Sequence, residues 1–82
     1  MNNIEAIERQ LGHPDRKRNV GGKIEYNWRV KIKSSKTTGK PTEGSVYYAT
    51  DFEKPIVEIK EDDDDFSVYY IEIKDIMKHL RR

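Results

Sequence analysis

From Ile24 to Ile32 the chain alternates without a break. Ile24, Tyr26, Trp28, Val30 and Ile32 take the even positions, and Glu25, Asn27, Arg29, Lys31 and Lys33 take the odd ones. Apolar residues at period two predict a strand with one face on a core and one face in water, here a mainly cationic one. Upstream, Ile4, Ile7 and Leu11 recur at helical spacing and predict a short helix over residues 3–11. Asn2 or Asn3 suits its N-terminal cap, and Gly12 followed by His13-Pro14 ends it. Nine residues do not hold a helix alone in water, so its apolar face must dock on something.

Three further strands follow. "SVYYAT" (45–50) and "PIVEIKE" (55–61) each place alternate apolar residues on one face. "FSVYYIEIK" (66–74) is apolar on both faces until Glu72, so both faces are expected to be covered, with the terminal helices as the natural covers. "DRKRNVGG" reads as part of a basic connector, and "SSKTTGKPTEGS" as a loop rich in turn formers. Ile73, Ile76, Met77 and Leu80 recur at helical spacing near Asp75, which can cap a closing helical turn, and Arg81-Arg82 suit its C-terminal end.

The chain is therefore expected to form one α+β, mainly β domain over residues 1–82. Its parts are a helix (1–12), a basic connector (13–22), an antiparallel sheet of four or five strands (23–74) and a helical turn (75–82). Short connections and a small core suit a small SH3/Sm-like barrel or a strongly bent sheet. The run "EGSVYYATDFEKPIVEIK" and then "YYIEIKDI" is similar to such barrels in layout. Layout alone implies no function.

Eighty-two residues leave room for one core, and only 34% of them are apolar while 38% are charged. The periodic Tyr, Trp, Ile and Val argue against disorder. Without cysteine there are no disulfides and no thiolate metal sites. The start, "MNNIEAIERQ", is too polar for a secretory leader, and no apolar run approaches the roughly 20 residues of a membrane span. A soluble, cytoplasmic protein without membrane association is expected.

The net charge of +1 conceals two opposed blocks. Residues 13–42 hold nine Lys/Arg against two acids, and residues 43–66 hold nine acids against two lysines. Such separation bears on partners rather than on fold. In the basic block, Arg29, Lys31 and Lys33 share one strand face about 6 to 7 Å apart, near the repeat of phosphates along a nucleic-acid strand. Ser35, Lys36, Thr38 and Lys40 extend the row into the loop, and Arg16, Lys17 and Arg18 widen it if the connector lies alongside. Ammonium, guanidinium and hydroxyl groups grip phosphate without reading bases. "KIKSSKTTGK" (31–40) thus has three candidate targets: a phosphate, a partner protein, or the chain's own "EDDDD" (61–65).

Other chemistry is poorly provided for. A phosphate-binding P-loop needs glycine where Ser34 stands and Ser or Thr where Pro41 stands. Asp62, Asp63, Asp64 and Asp65 are oxygen ligands, but an EF-hand spaces its acids at alternate positions around a glycine. His13 and His79 have no nucleophile and acid arranged with them. No enzymatic activity, metal or cofactor is expected. Tyr47-Tyr48 and Tyr69-Tyr70 each send one ring to each sheet face, and Tyr47 and Tyr69 are candidates for stacking bases if their face is open.

Two functions follow, of different classes. The first is a non-enzymatic module whose cationic strand and Lys/Ser/Thr-rich loop bind the phosphates of nucleic acid or nucleotides. The alternative is a small accessory protein of the viral or mobile-element kind, which inhibits or adapts a basic partner protein through Asp62–Asp65. A homo-oligomer, basic surface against acidic turn, joins the two.

Overall fold

The computed structural model describes residues 2–63 and 65–81. Helix α1 (Asn3–Leu11) is followed by strands β1 (Arg16–Val20), β2 (Lys23–Ile32), β3 (Thr42–Ala49), β4 (Ile56–Glu61) and β5 (Val68–Glu72). A 3₁₀ turn (Ile73–Asp75), helix α2 (Ile76–His79) and a two-residue strand β6 (Leu80–Arg81) complete it. The strands form an antiparallel meander in the order β1-β2-β3-β4-β5, and β6 returns to pair with Lys31 and Ile32 of β2.

The α1 boundaries agree with the helical spacing. Asn2 Oδ1 accepts the Glu5 amide at 2.9 Å, and Gly12, at φ 81°, donates its N–H to the Glu8 carbonyl at 2.7 Å. Ile7 and Leu11 enter the core. Three side-chain bonds hold the helix and its cap there: Asn3 Nδ2 donates to the Tyr48 hydroxyl at 3.2 Å, Gln10 Nε2 donates to the Ile73 carbonyl at 2.9 Å, and the Trp28 indole N–H donates to the Gly12 carbonyl at 3.0 Å.

Residues 13–22 are not merely a connector. Gly21 and Gly22, both at positive φ, make a two-residue hairpin turn that folds Arg16–Val20 onto Asn27–Lys23. Every residue of β1 is exposed, so the strand gives the core nothing and leaves no hydrophobic pattern. β3 starts at Thr42, three residues before the apolar pattern announces it, because the ladder pairs Thr42 with Ile32. At the C-terminus Leu80 and Arg81 are extended rather than helical, while Arg82, expected to close a helix, lies outside the described residues.

The sheet is open. Among the described residues no ladder joins β5 to β1 or β6, so a closed barrel is not formed. Inward residues of β2 to β4 (Tyr26, Trp28, Ile32, Val46, Tyr48, Val57, Ile59) pack with Ile7 and Leu11 and with Ile73, Ile76 and Leu80 from the returning segment. One expectation fails here. β5 is covered on its inner side only, and its outward Val68 and Tyr70 are 39% and 59% exposed. α1 and α2 both lie on the core side, so neither is left to cover the other face.

Candidate functional site

The outer sheet face collects the polar alternates of four strands. β2 supplies Asn27, Arg29 and Lys31; β1 sets Arg16 beside Asn27; β3 sets Tyr47 and Ser45 across from Asn27 and Arg29; β4 sets Lys60 across from Ser45. Between the strands lies a shallow concavity of about 480 Å³, floored by Asn27 and Ser45 and bordered by Arg16, Arg18, Arg29 and Lys60 and by the acids Asp15, Glu25 and Asp62.

Some of these charges are already paired. Arg18 lies 2.9 Å from Glu25. Arg29 lies 3.0 Å from Asp62 and 3.7 Å from Glu43, and its backbone N–H donates to Asp15 Oδ2 at 2.7 Å. Arg29 therefore does not stand clear of the acidic turn. Among the described residues no carboxylate pairs with Arg16, Lys31 or Lys60, and no side-chain hydrogen bond engages Asn27 or Ser45. Glu25 is held below the usual carboxylate range by the Tyr47 hydroxyl and Arg18, which donate to it. The Tyr47 hydroxyl is pushed up to about 12 by burial and by its bond to Glu25.

The Lys/Ser/Thr loop has a different target, a carboxylate of its own chain. Ser35 is buried, and its Oγ donates to Glu61 Oε2 at 2.5 Å while accepting the Thr37 and Thr38 amides at 3.1 Å. The Lys36 amide donates to Glu61 Oε1 at 2.7 Å. Thr37 and Ser67 hydroxyls meet, and the Lys36 ammonium lies 5.2 Å from the centre of the Tyr69 ring. The Thr38 hydroxyl accepts from the Lys40 amide, and Gly39, at φ 73°, returns its N–H to the Ser35 carbonyl. Polar groups that read as a phosphate grip thus fold the loop around Glu61, a wholly buried acid that needs these donors.

The predicted cationic row consequently divides. Arg16, Arg18, Arg29 and Lys31 share the outer face. Lys17 points to the opposite side, 5.8 Å from the Tyr26 ring centre. Lys33 donates to the Met77 carbonyl at 3.3 Å, and Lys36 and Lys40 belong to the loop. Neither candidate stacking ring is open: Tyr47 packs on Phe52 at 5.8 Å and bonds Glu25, and Tyr69 faces inward against His79 at 6.1 Å. On the outer face the exposed ring is that of Tyr70, across from Glu58, and Phe66, just before β5, is exposed as well. Asp62 is tied to Arg29, Asp63 and Asp65 are exposed, and Asp64 lies outside the described residues.

No protein-family model matches the chain, and neither curated proteins nor solved structures give a match. The geometry stands alone. Lys60 and Ser45 join the site although their own segments carry no basic motif, and Asn27 joins it from the cationic strand itself. Their signal was parity: each falls on the outward register of its strand. Among the described residues no three His, Asp or Glu side chains gather as a metal would need, and no helix is long and apolar enough to cross a membrane.

Proposed function

We propose that the protein is a non-enzymatic binding module whose outer sheet face takes the phosphodiester backbone of a single-stranded nucleic acid. The observation that carries this reading is the pair of unpaired cations, Arg16 and Lys60, around the free polar floor of Asn27 and Ser45, with Lys31 farther along the same face of β2. Guanidinium and ammonium groups neutralise phosphates, and amide and hydroxyl groups add hydrogen bonds to their oxygens. Arg29 joins on demand. Its bonds to Asp62 and Glu43 are exposed at both ends, so they are worth little and yield to a phosphate. Tyr70, on the same face, offers a ring for a base to stack on. The return of the last strand to the first long one supports reading the sheet as an opened SH3-like barrel.

Fluorescence anisotropy with labelled DNA and RNA oligonucleotides tests the proposal. Binding at about 50 mM salt is expected to weaken steeply as salt rises, because each neutralised phosphate releases counterions. Joint Arg16→Ala and Lys60→Ala substitution should weaken it further, and Lys40→Ala should not. Absence of binding at low salt overturns the reading.

A second reading has one specific observation in its favour. Phe66 is 94% exposed directly after the acidic turn, an apolar side chain preceded by the exposed Asp63 and Asp65. Such a pairing suits a basic protein groove with an apolar pocket. Capture of a partner that depends on Phe66 and not on Arg16 would favour it.

A further inference from the structure

The geometry of β5 points to a self-association surface: we propose that two copies pair antiparallel through this strand about a two-fold axis at Tyr70. Among the described residues β5 has a neighbour on one side only, β4. Glu61 donates its N–H to the Ser67 carbonyl, and Ile73 donates to the Pro55 carbonyl, both at 3.1 Å. The bonded pairs of this ladder therefore involve residues 67, 69, 71 and 73. Tyr70 and Glu72 turn their N–H groups, and Val68 and Tyr70 their carbonyls, to the free edge, while the Val68 N–H donates to the Phe66 carbonyl at 3.0 Å. The side chains of these three residues stand on the outer face. An edge of this kind is a template for another strand.

The occupant follows from backbone phase and charge. The other edge strand, β1, is ruled out. The two-glycine turn makes Val20 and Lys23 a bonded pair, so Lys17 and Asn19 present the free backbone groups of β1. Their side chains lie on the inner side, as Lys17 over Tyr26 shows. Antiparallel pairing of β5 with β1 of another copy would join the outer face of one to the inner face of the next. β5 with β5 has no such conflict. Both strands offer even-numbered residues, and a two-fold axis perpendicular to the sheet keeps the outer faces together.

With Tyr70 opposite its symmetry mate, Val68 faces Glu72 of the second copy. On β4, Lys60 lies across from Val68. Lys60 and the second copy's Glu72 then flank Val68 two strand spacings apart, about 10 Å between backbones and within reach of a lysine and a glutamate side chain. Lys60 has no ion pair within its own chain among the described residues, and Glu72 pairs only with the exposed Lys74. The second ion pair follows by symmetry, and the exposed apolar surface of Val68 and Tyr70 lies at the centre of the seam.

Sedimentation equilibrium on the full chain without nucleic acid tests this, so the result is independent of anion binding. The wild type is expected to move from one chain mass to two between low micromolar and near-millimolar concentration. Tyr70→Lys is expected to remain at one, with unchanged circular dichroism. Lys60→Glu and Glu72→Lys should each weaken association at least several-fold, and the double exchange should restore it by recreating the pair in reverse. This rescue also serves if Tyr70→Lys disturbs folding. A wild type that stays a single chain throughout, a dimer indifferent to Tyr70→Lys, or a double exchange no better than its singles overturns the proposal.

Discussion

Ser35 and Glu61, 26 residues apart, meet in a buried hydrogen bond of 2.5 Å. The glutamate is inaccessible to water, and its other oxygen is taken by the Lys36 amide. A carboxylate buried this way is tolerable only while its donors are in place. Ser35→Ala should therefore cost about 1 to 3 kcal/mol, the desolvation penalty of an acceptor left short of a partner. Urea denaturation reads the loss, and amide exchange at Thr37 and Thr38, whose N–H groups also use Ser35, should accelerate with it. Unaltered exchange there would mean that the loop is held by something else.

Gly44 lies in β3 where β4 and the Ile32 side chain close in. A methyl group there would stand 2.3 Å from the Lys60 carbonyl oxygen and 2.6 Å from Ile32 Cδ1. Because one obstacle is backbone, a rotamer change cannot relieve it. Gly44→Ala should cost about 1 to 3 kcal/mol, as overpacking does, and thermal melting should show it. A neutral result would show that β3 and β4 separate easily.

Tyr47 and Glu25 make opposite contributions at the two ends of the pH scale. The Tyr47 hydroxyl is raised in the fold from 10 to about 12, so its stabilisation is complete below pH 10 and is lost as pH climbs through about 12. Glu25 is lowered, so its contribution is present above the ordinary glutamate range and is lost as acid reaches the depressed folded value. Ultraviolet titration should show, beside the also raised Tyr69, a tyrosine ionising near pH 12 that Tyr47→Phe removes. Persistence of that ionisation in the variant would assign it to Tyr69, which burial also raises.

Asp62 competes with any anion for Arg29. Removing its charge by Asp62→Asn should leave the fold intact, since the pair is exposed, and should tighten oligonucleotide binding a few-fold with a steeper salt dependence. Weaker binding would mean that Asp62 positions Arg29 rather than occupying it.

The parts of this fold legible from sequence were those that bury apolar side chains at a regular period. α1 and β2 announce themselves this way, through Ile7 and Leu11 and through Tyr26, Trp28 and Ile32. β1 has no buried side chain, and only its two glycines betrayed the hairpin. β6 was hidden by a true regularity. Ile73, Ile76 and Leu80 do all reach the core, but through a 3₁₀ turn, one helical turn and an extended pair in succession. The site was legible as far as parity reached, which is why Arg29 and Lys31 share a face. The pairing of Arg29 with Asp62 and the seat of the loop on Glu61 depend on contacts between distant segments, where local spacing is silent.

Trp28 is the chain's one tryptophan, and its indole N–H is fastened to the carbonyl of Gly12, the residue that caps the helix docked beneath it. The protein thus carries an intrinsic optical gauge of that single joint. Lifting the helix would wet the ring and shift its emission before any strand separates, so peeling of the N-terminal segment is distinguishable, without a label, from collapse of the sheet.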